Sequence, residues 1–207
     1  MPLDVAPQFS SSPLIVGMGG TLRAGSSTER ALKVALAAAE ARGARTLLIT
    51  GPDLELPPYG SSQAPDAERL ENILNALRRA DGVILGSPGY HGGISGLMKN
   101  AVDYIEEMSR DETPYLSGRA VGCIATAAGW QATVTTMTSL RSIVHALQGW
   151  PTPLGVAINT AEPAFDADGA CLSPKVQAQL DLLAAQVVDF ALGQVGRLRR
   201  APAAAAA

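Results

Sequence analysis

Leu14-Ile15-Val16-Gly17-Met18-Gly19-Gly20-Thr21-Leu22-Arg23-Ala24-Gly25-Ser26-Ser27-Thr28-Glu29-Arg30-Ala31-Leu32 passes from an apolar run, through glycines and hydroxyls, straight into a helical pattern. A short apolar run ended by glycine reads as a buried strand, and apolar residues at helical spacing over Thr28 to Arg42 read as the helix that crosses back over it. Outward from this unit the alternation repeats. Candidate strands are Leu14 to Gly19, Arg45 to Thr50, Gly82 to Ser87, Ala120 to Thr126 and Pro153 to Ile158. Helical spacing recurs over Asp66 to Arg79, Ile94 to Met108, Thr133 to Gln148 and Pro174 to Ala191. Strand and helix in strict alternation predict an α/β fold whose parallel sheet is covered on both faces. Five strands favour the order 2-1-3-4-5, in which the chain reverses direction between the first and third strands. A ligand crevice is expected where the loops after those two strands meet.

The chain has 207 residues, 47% hydrophobic and 17% charged, enough for one ordinary domain. That domain is assigned to residues 13–194, with residues 1–12, rich in Pro and Ser, and 195–207, basic and Ala-rich, expected to be disordered. A net charge of −3 supplies no basic field, which argues against nucleic acid or an anionic membrane as partner. Without a signal-peptide pattern or an apolar stretch of spanning length, the expected location is cytoplasmic. Cys123, inside an apolar run, and Cys171, in a polar segment, make no metal or redox motif, and with only two histidines no metal site is expected. No Gly-x-Ser-x-Gly elbow marks a hydrolase.

The first loop suits an anion. Its glycines let the backbone approach closely, and the helix start directs free N–H groups and the positive end of its dipole outward. Thr21, Ser26, Ser27 and Thr28 add hydroxyl donors and Arg23 a full positive charge. A bare turn, with Ser27 or Thr28 as helix cap, is the alternative. The rival phosphate motifs fail on the letters. Gly17 and Gly19 are followed by Leu22 where a dinucleotide fingerprint needs glycine, and none of Lys33, Lys99 and Lys175 follows a glycine as a P-loop requires.

The loop after the third strand, Ser87-Pro88-Gly89-Tyr90-His91-Gly92-Gly93, leaves its backbone nearly bare beside one aromatic plane. Such a loop can hydrogen-bond the edge of a flat ring and pack Tyr90 against it. A β-branched residue at Gly92 is expected to crowd that approach. Downstream, Lys99 and Asp103 stand one helical turn apart and read as a surface ion pair. Trp150-Pro151-Thr152-Pro153 reads as a rigid lead-in to the fifth strand. Arg141 and His145, one turn apart on a helix, read as interface residues.

Pro88-Gly89-Tyr90-His91 and Lys99-Asn100-Ala101-Val102-Asp103 resemble the P-x-Y-[NH] loop and K-N-x-[IVL]-D helix of the NADPH-dependent FMN reductase family. Gly20-Thr21-Leu22-Arg23-Ala24-Gly25-Ser26 is similar to that family's G-S-x-R-x-x-S phosphate loop, and the resemblance extends from Pro13 to Ala191. It implies a flavodoxin-like three-layer sandwich, FMN as cofactor and NADPH or NADH as reductant. Free flavin, a quinone, an azo compound or a metal oxyanion would be the acceptor. It implies that Thr21, Arg23, Ser26, Ser27 and Thr28 hold the phosphate, and that Pro88, Gly89, Tyr90, His91 and Gly92 flank the ring. Thr126, Ala127 and Gly129 would meet the ring's pyrimidine edge, although Trp130 departs from the family's Gly-rich pattern there. His91 is expected to act through its backbone, because hydride transfer to flavin asks for no acid from the protein. A homodimer or homotetramer follows from the same resemblance, as does a flavin-dependent monooxygenase receiving reduced FMN. The competing readings are an electron-carrier flavodoxin, against which Arg23 and the modest charge argue, and a non-catalytic flavin-binding regulator.

Overall fold

The computed structural model describes residues 12–200. In chain order the strands are β1 (Leu14–Gly19), β2 (Arg45–Ile49), β3 (Gly82–Tyr90), β4 (Gly93–Ile94), β5 (Ala120–Ala127), β6 (Trp150–Pro151) and β7 (Val156–Asn159). The helices are α1 (Ser27–Glu40), α2 (Ala67–Arg79), α3 (Gly96–Asp103), α4 (Trp130–Ala146) and α5 (Pro174–Arg200). Strands β2, β1, β3, β5 and β6 pair in that order, with β7 on β5 and β4 on β3. All pairs are parallel except β3 with β4.

The order confirms the expected reversal between the first and third strands, but the five-stranded sheet is corrected to seven strands. The position assigned to Pro153 to Ile158 is filled by two short strands, Trp150–Pro151 beside Ala120 and Val121, and Val156–Asn159 beside Ile124 to Ala127. Prolines at 151 and 153 cannot donate to a ladder; the Thr152 N–H between them still donates to the Val121 carbonyl at 3.0 Å, and pairing lapses from Pro153 until it resumes at Val156. In the break the Thr152 hydroxyl donates to the Leu154 carbonyl, and the Leu154 N–H donates to Gln186. The other added strand, β4, is the return arm of a hairpin.

Two cores flank the sheet, and alternation along each strand feeds both. Val16, Met18, Val83, Leu85, Val121 and Cys123 face α2, α3 and α4. Ile15, Ile84 and Ile124 face α1 and α5. On this second face glycines bring the helices close. A Cβ at Gly17 would lie 2.8 Å from Leu36, and one at Gly122 would lie 2.6 Å from Leu183. Helix α1 buries Ala31, Leu32, Ala35, Leu36 and Ala39 there, and starts where Ser26 caps it.

Other boundaries shift for local reasons. The segment Ile94 to Met108 divides into α3 and a 3-10 turn, Tyr104–Met108. Helix α4 begins at Trp130 rather than Thr133. The backbone of α5 runs through residues 195–200, into the segment assigned to the tail, while residues 1–11 and 201–207 lie outside the described residues. Among the described residues no helix is long and apolar enough to cross a membrane. Cys123 is buried, and burial pushes its thiol up to about 12 against a smaller opposing effect of Arg141, so it stays protonated and unreactive.

Candidate functional site

At the carboxyl end of the sheet, the loop between β1 and α1 leaves three consecutive backbone donors free. The Ser26 hydroxyl accepts from the Glu29 N–H at 3.3 Å, and the Glu29 carboxylate accepts from the Gly25 N–H at 2.9 Å. Between these two engaged amides, the N–H groups of Ser26, Ser27 and Thr28 have no protein acceptor among the described residues. They sit where the helix dipole is positive. The Ser26 hydroxyl, already an acceptor, keeps its own proton to donate. Thr28 and Thr126 share a buried hydroxyl hydrogen bond of 2.6 Å that ties the first loop to the end of β5. Whichever hydroxyl donates, the other's proton remains available.

Arg23 is exposed, and its guanidinium has no carboxylate within ion-pair distance among the described residues. Thr21 shapes the loop beneath it, its hydroxyl accepting from the Arg23 N–H at 3.2 Å and donating to the Arg23 carbonyl at 3.1 Å. Arg30 is occupied elsewhere. It donates to the carbonyls of Asp166 at 2.7 Å and Ala167 at 3.2 Å.

The loop after β3 is a tight hairpin that the sequence reading missed. Gly89 pairs Ile94 and Tyr90 pairs Gly93, leaving His91 at φ +48° and Gly92 at φ +95° as the two turn residues. Two consecutive positive φ values make the turn whose twist suits a two-residue hairpin. His91 is therefore exposed at the tip of the turn. No protein atom lies within 4 Å of a Cβ built at Gly92, so within the protein only its backbone conformation, φ +95°, constrains the residue. Gly89 is the crowded one. A Cβ there would lie 2.3 Å from the Thr136 hydroxyl and 3.2 Å from the Ala132 carbonyl, so α4 packs directly on the hairpin. Ser87 anchors its base, accepting from the Ser95 N–H at 3.0 Å.

The third loop follows β5. Gly129 precedes α4 and donates its N–H to Asn159 at 2.7 Å, so the amide expected to meet a ring is engaged within the protein. Trp130 is 60% exposed and lines a separate cavity of about 200 Å³ against Ile158 and Lys175. Lys99 and Asp103 form the expected ion pair at 2.5 Å. Between them Asn100 holds the 56–59 segment, donating to the carbonyls of Leu56 and Pro57 and accepting from the Tyr59 N–H.

A cavity of about 350 Å³ opens where the three loops meet. Thr21, Arg23, Ser26, Ser27, Thr28, Pro88, Gly89, Tyr90, Thr126 and Ala127, all singled out from sequence, line it together. His91, Gly92 and Gly129 do not line it, whereas Ala128, Ala132 and Thr160, which the sequence reading missed, do. Ala132 was hidden by the early start of α4, and Thr160 by the divided fifth strand. Arg23 carries the one formal charge among the lining residues. A flat, half-exposed tyrosine at one end and a cluster of unpaired donors with one cation at the other suit a planar ligand ending in an anionic group.

A family model described as NADPH-dependent FMN reductase matches residues 13–163. An FMN-dependent NADPH-azoreductase of Staphylococcus aureus (strain USA300) is 29% identical over 136 residues, covering 63% of this chain and 69% of that protein. Among solved structures, the flavoenzyme NAD(P)H:(acceptor) oxidoreductase FerB from Paracoccus denitrificans superposes with a TM-score of 0.67 at 21% identity, over 86% of this chain and 98% of that one. A WrbA-like flavodoxin protein from Agrobacterium tumefaciens superposes with a TM-score of 0.60 at 19% identity, over 87% and 98%. Both structures share the flavodoxin-like fold.

Proposed function

From the premise that the chain belongs to the NADPH-dependent FMN reductase family, we propose that the three-loop cavity holds FMN and that the protein is an NAD(P)H-dependent reductase serving a small acceptor, an azo compound among them. The observation that carries this reading is the meeting of free phosphate donors and a ring-sized slot in one cavity with a single cation. Thr21, Arg23, Ser26, Ser27 and Thr28 would hold the phosphate, and Pro88, Gly89, Tyr90, Thr126 and Ala127 would flank the ring.

FMN held there would supply the redox chemistry, hydride acceptance from a nicotinamide and electron transfer to the acceptor. The protein's part is placement. The Thr28–Thr126 bond fixes the spacing between phosphate loop and ring loop. Packing of Gly89 on α4 fixes the hairpin, so the slot is formed before ligand arrives. The exposed side of Tyr90 leaves room for a second planar reactant.

Purified protein supplied with FMN should oxidise NADPH or NADH and decolourise an azo dye in the absence of oxygen. Absence of flavin-dependent oxidation with either nucleotide would overturn the reading. If His91 acts through its backbone, His91→Ala should keep single-turnover flavin reduction within about tenfold of the parent. Gly92→Val should lower FMN occupancy, because a β-branched residue at φ +95° costs roughly 1–3 kcal/mol in the turn that shapes the slot. A thousandfold slower His91→Ala with flavin still bound would make the imidazole a direct participant.

The assembly we propose is a homodimer built on α4. That helix exposes Trp130 and Val134, 60% and 57% accessible, beside Thr135 and Thr138, a neutral face continuing from cavity residue Ala132. Light scattering at micromolar concentration should give the mass of at least two chains, and a monomer would contradict the proposal.

A further inference from the structure

Glu29 stands in the first turn of α1, directly after the donors proposed to take a phosphate, where a second anion carries an electrostatic cost. It is the third residue of α1 and only 8% exposed. In an ordinary capping box the acid at this position returns to the N–H of the cap residue itself. Glu29 reaches one residue further back. Its carboxylate accepts from the Gly25 N–H at 2.9 Å, where the chain turns through φ +68°, and leaves the Ser26 N–H free. The second carboxylate oxygen accepts from Lys33 at 2.6 Å.

We propose that Glu29 is a positioning residue for the FMN phosphate: it fixes the loop through Gly25 so that the amides of Ser26, Ser27 and Thr28 converge, while Lys33 cancels the charge that would repel the ligand. This rests on the FMN reading above. The longer reach is what spares the first donor of the three. A carboxylate bonded at Ser26 would consume it. Burial raises the Glu29 pKa, but the Lys33 and Gly25 hydrogen bonds and the charges of Lys33 and Arg30 together outweigh it, leaving the group below its ordinary value and ionised at neutral pH. The acid therefore needs its counter-charge throughout the working range.

The test is FMN and riboflavin affinity, read by flavin fluorescence, for the parent, Glu29→Ala, Glu29→Gln and Lys33→Ala, with melting temperatures measured without flavin. Glu29→Ala should weaken FMN roughly tenfold, the scale of one lost ordering hydrogen bond, and leave riboflavin nearly unchanged. Glu29→Gln keeps an oxygen for Gly25 and removes the charge, so its FMN affinity should equal or exceed the parent's. Lys33→Ala should weaken FMN by about threefold at low salt and less at high salt, because Lys33 is largely solvent-exposed. Equal losses of both flavins in Glu29→Ala, or a glutamine variant as poor as the alanine one, would overturn the proposal. Should Glu29→Ala fail to fold, the glutamine and Lys33 variants decide it alone. A parent protein that binds no FMN would instead bring down the functional reading, and this inference with it.

Discussion

Gly19→Ala should lower stability by about 3–5 kcal/mol and the melting temperature by roughly 10 °C. The residue ends β1 at φ +145°, and a Cβ there would lie 1.8 Å from the Gly86 carbonyl oxygen on β3. That oxygen is backbone and accepts from the Gly20 N–H at 3.2 Å, so it cannot step aside without opening the sheet where the phosphate loop begins. Steric and conformational costs add. Gly43→Ala separates them, because Gly43 also has positive φ, +84°, but nothing lies within 4 Å of its added Cβ. Its cost should be near 1 kcal/mol, that of the conformation alone. Thermal denaturation of both variants checks this, and equal losses would refute the close approach of β1 and β3.

Arg23→Ala should weaken FMN binding roughly 10- to 100-fold, the worth of a charge-assisted hydrogen bond of about 1.5–3 kcal/mol. The guanidinium is the one formal charge lining the cavity and has no carboxylate to satisfy among the described residues, so its removal leaves the rest of the site intact. Riboflavin, which lacks the phosphate, should lose far less. Fluorescence titration of the two flavins distinguishes these outcomes, and equal losses would remove Arg23 from the phosphate end.

Much of this site was legible because its signals are local in sequence. The run from Leu14 to Leu32 contains strand, glycine loop, cap and helix in one unbroken stretch, and the structure places each where its residue types require. The reversal between β1 and β3 matches the order that alternating strands and helices favoured, and it brings Thr21, Arg23 and Tyr90 to one cavity. What escaped notice depends on partners far along the chain. A non-glycine residue at positive φ is uncommon, so the His91–Gly92 turn resembled an open loop until Gly93 and Ile94 were seen to pair with Tyr90 and Gly89. The two prolines near residue 152 announced rigidity without saying that pairing would occur on both sides of it. Thr160 reaches the cavity only because its N–H donates to Ala127 at 2.8 Å, across the sheet. Gly129 looked like a free backbone donor, and only its contact with Asn159 reveals that it is engaged.

The most direct test of the central claim is anaerobic mixing of FMN-loaded protein with NADPH or NADH in a single turnover, followed by the visible absorbance of the flavin. A protein that binds FMN in order to reduce it should bleach that absorbance with the nucleotide it uses and regain it when an azo dye or quinone is added. Bound flavin that stays oxidised with both nucleotides would contradict the account and leave the cavity to an electron carrier or a flavin-binding regulator.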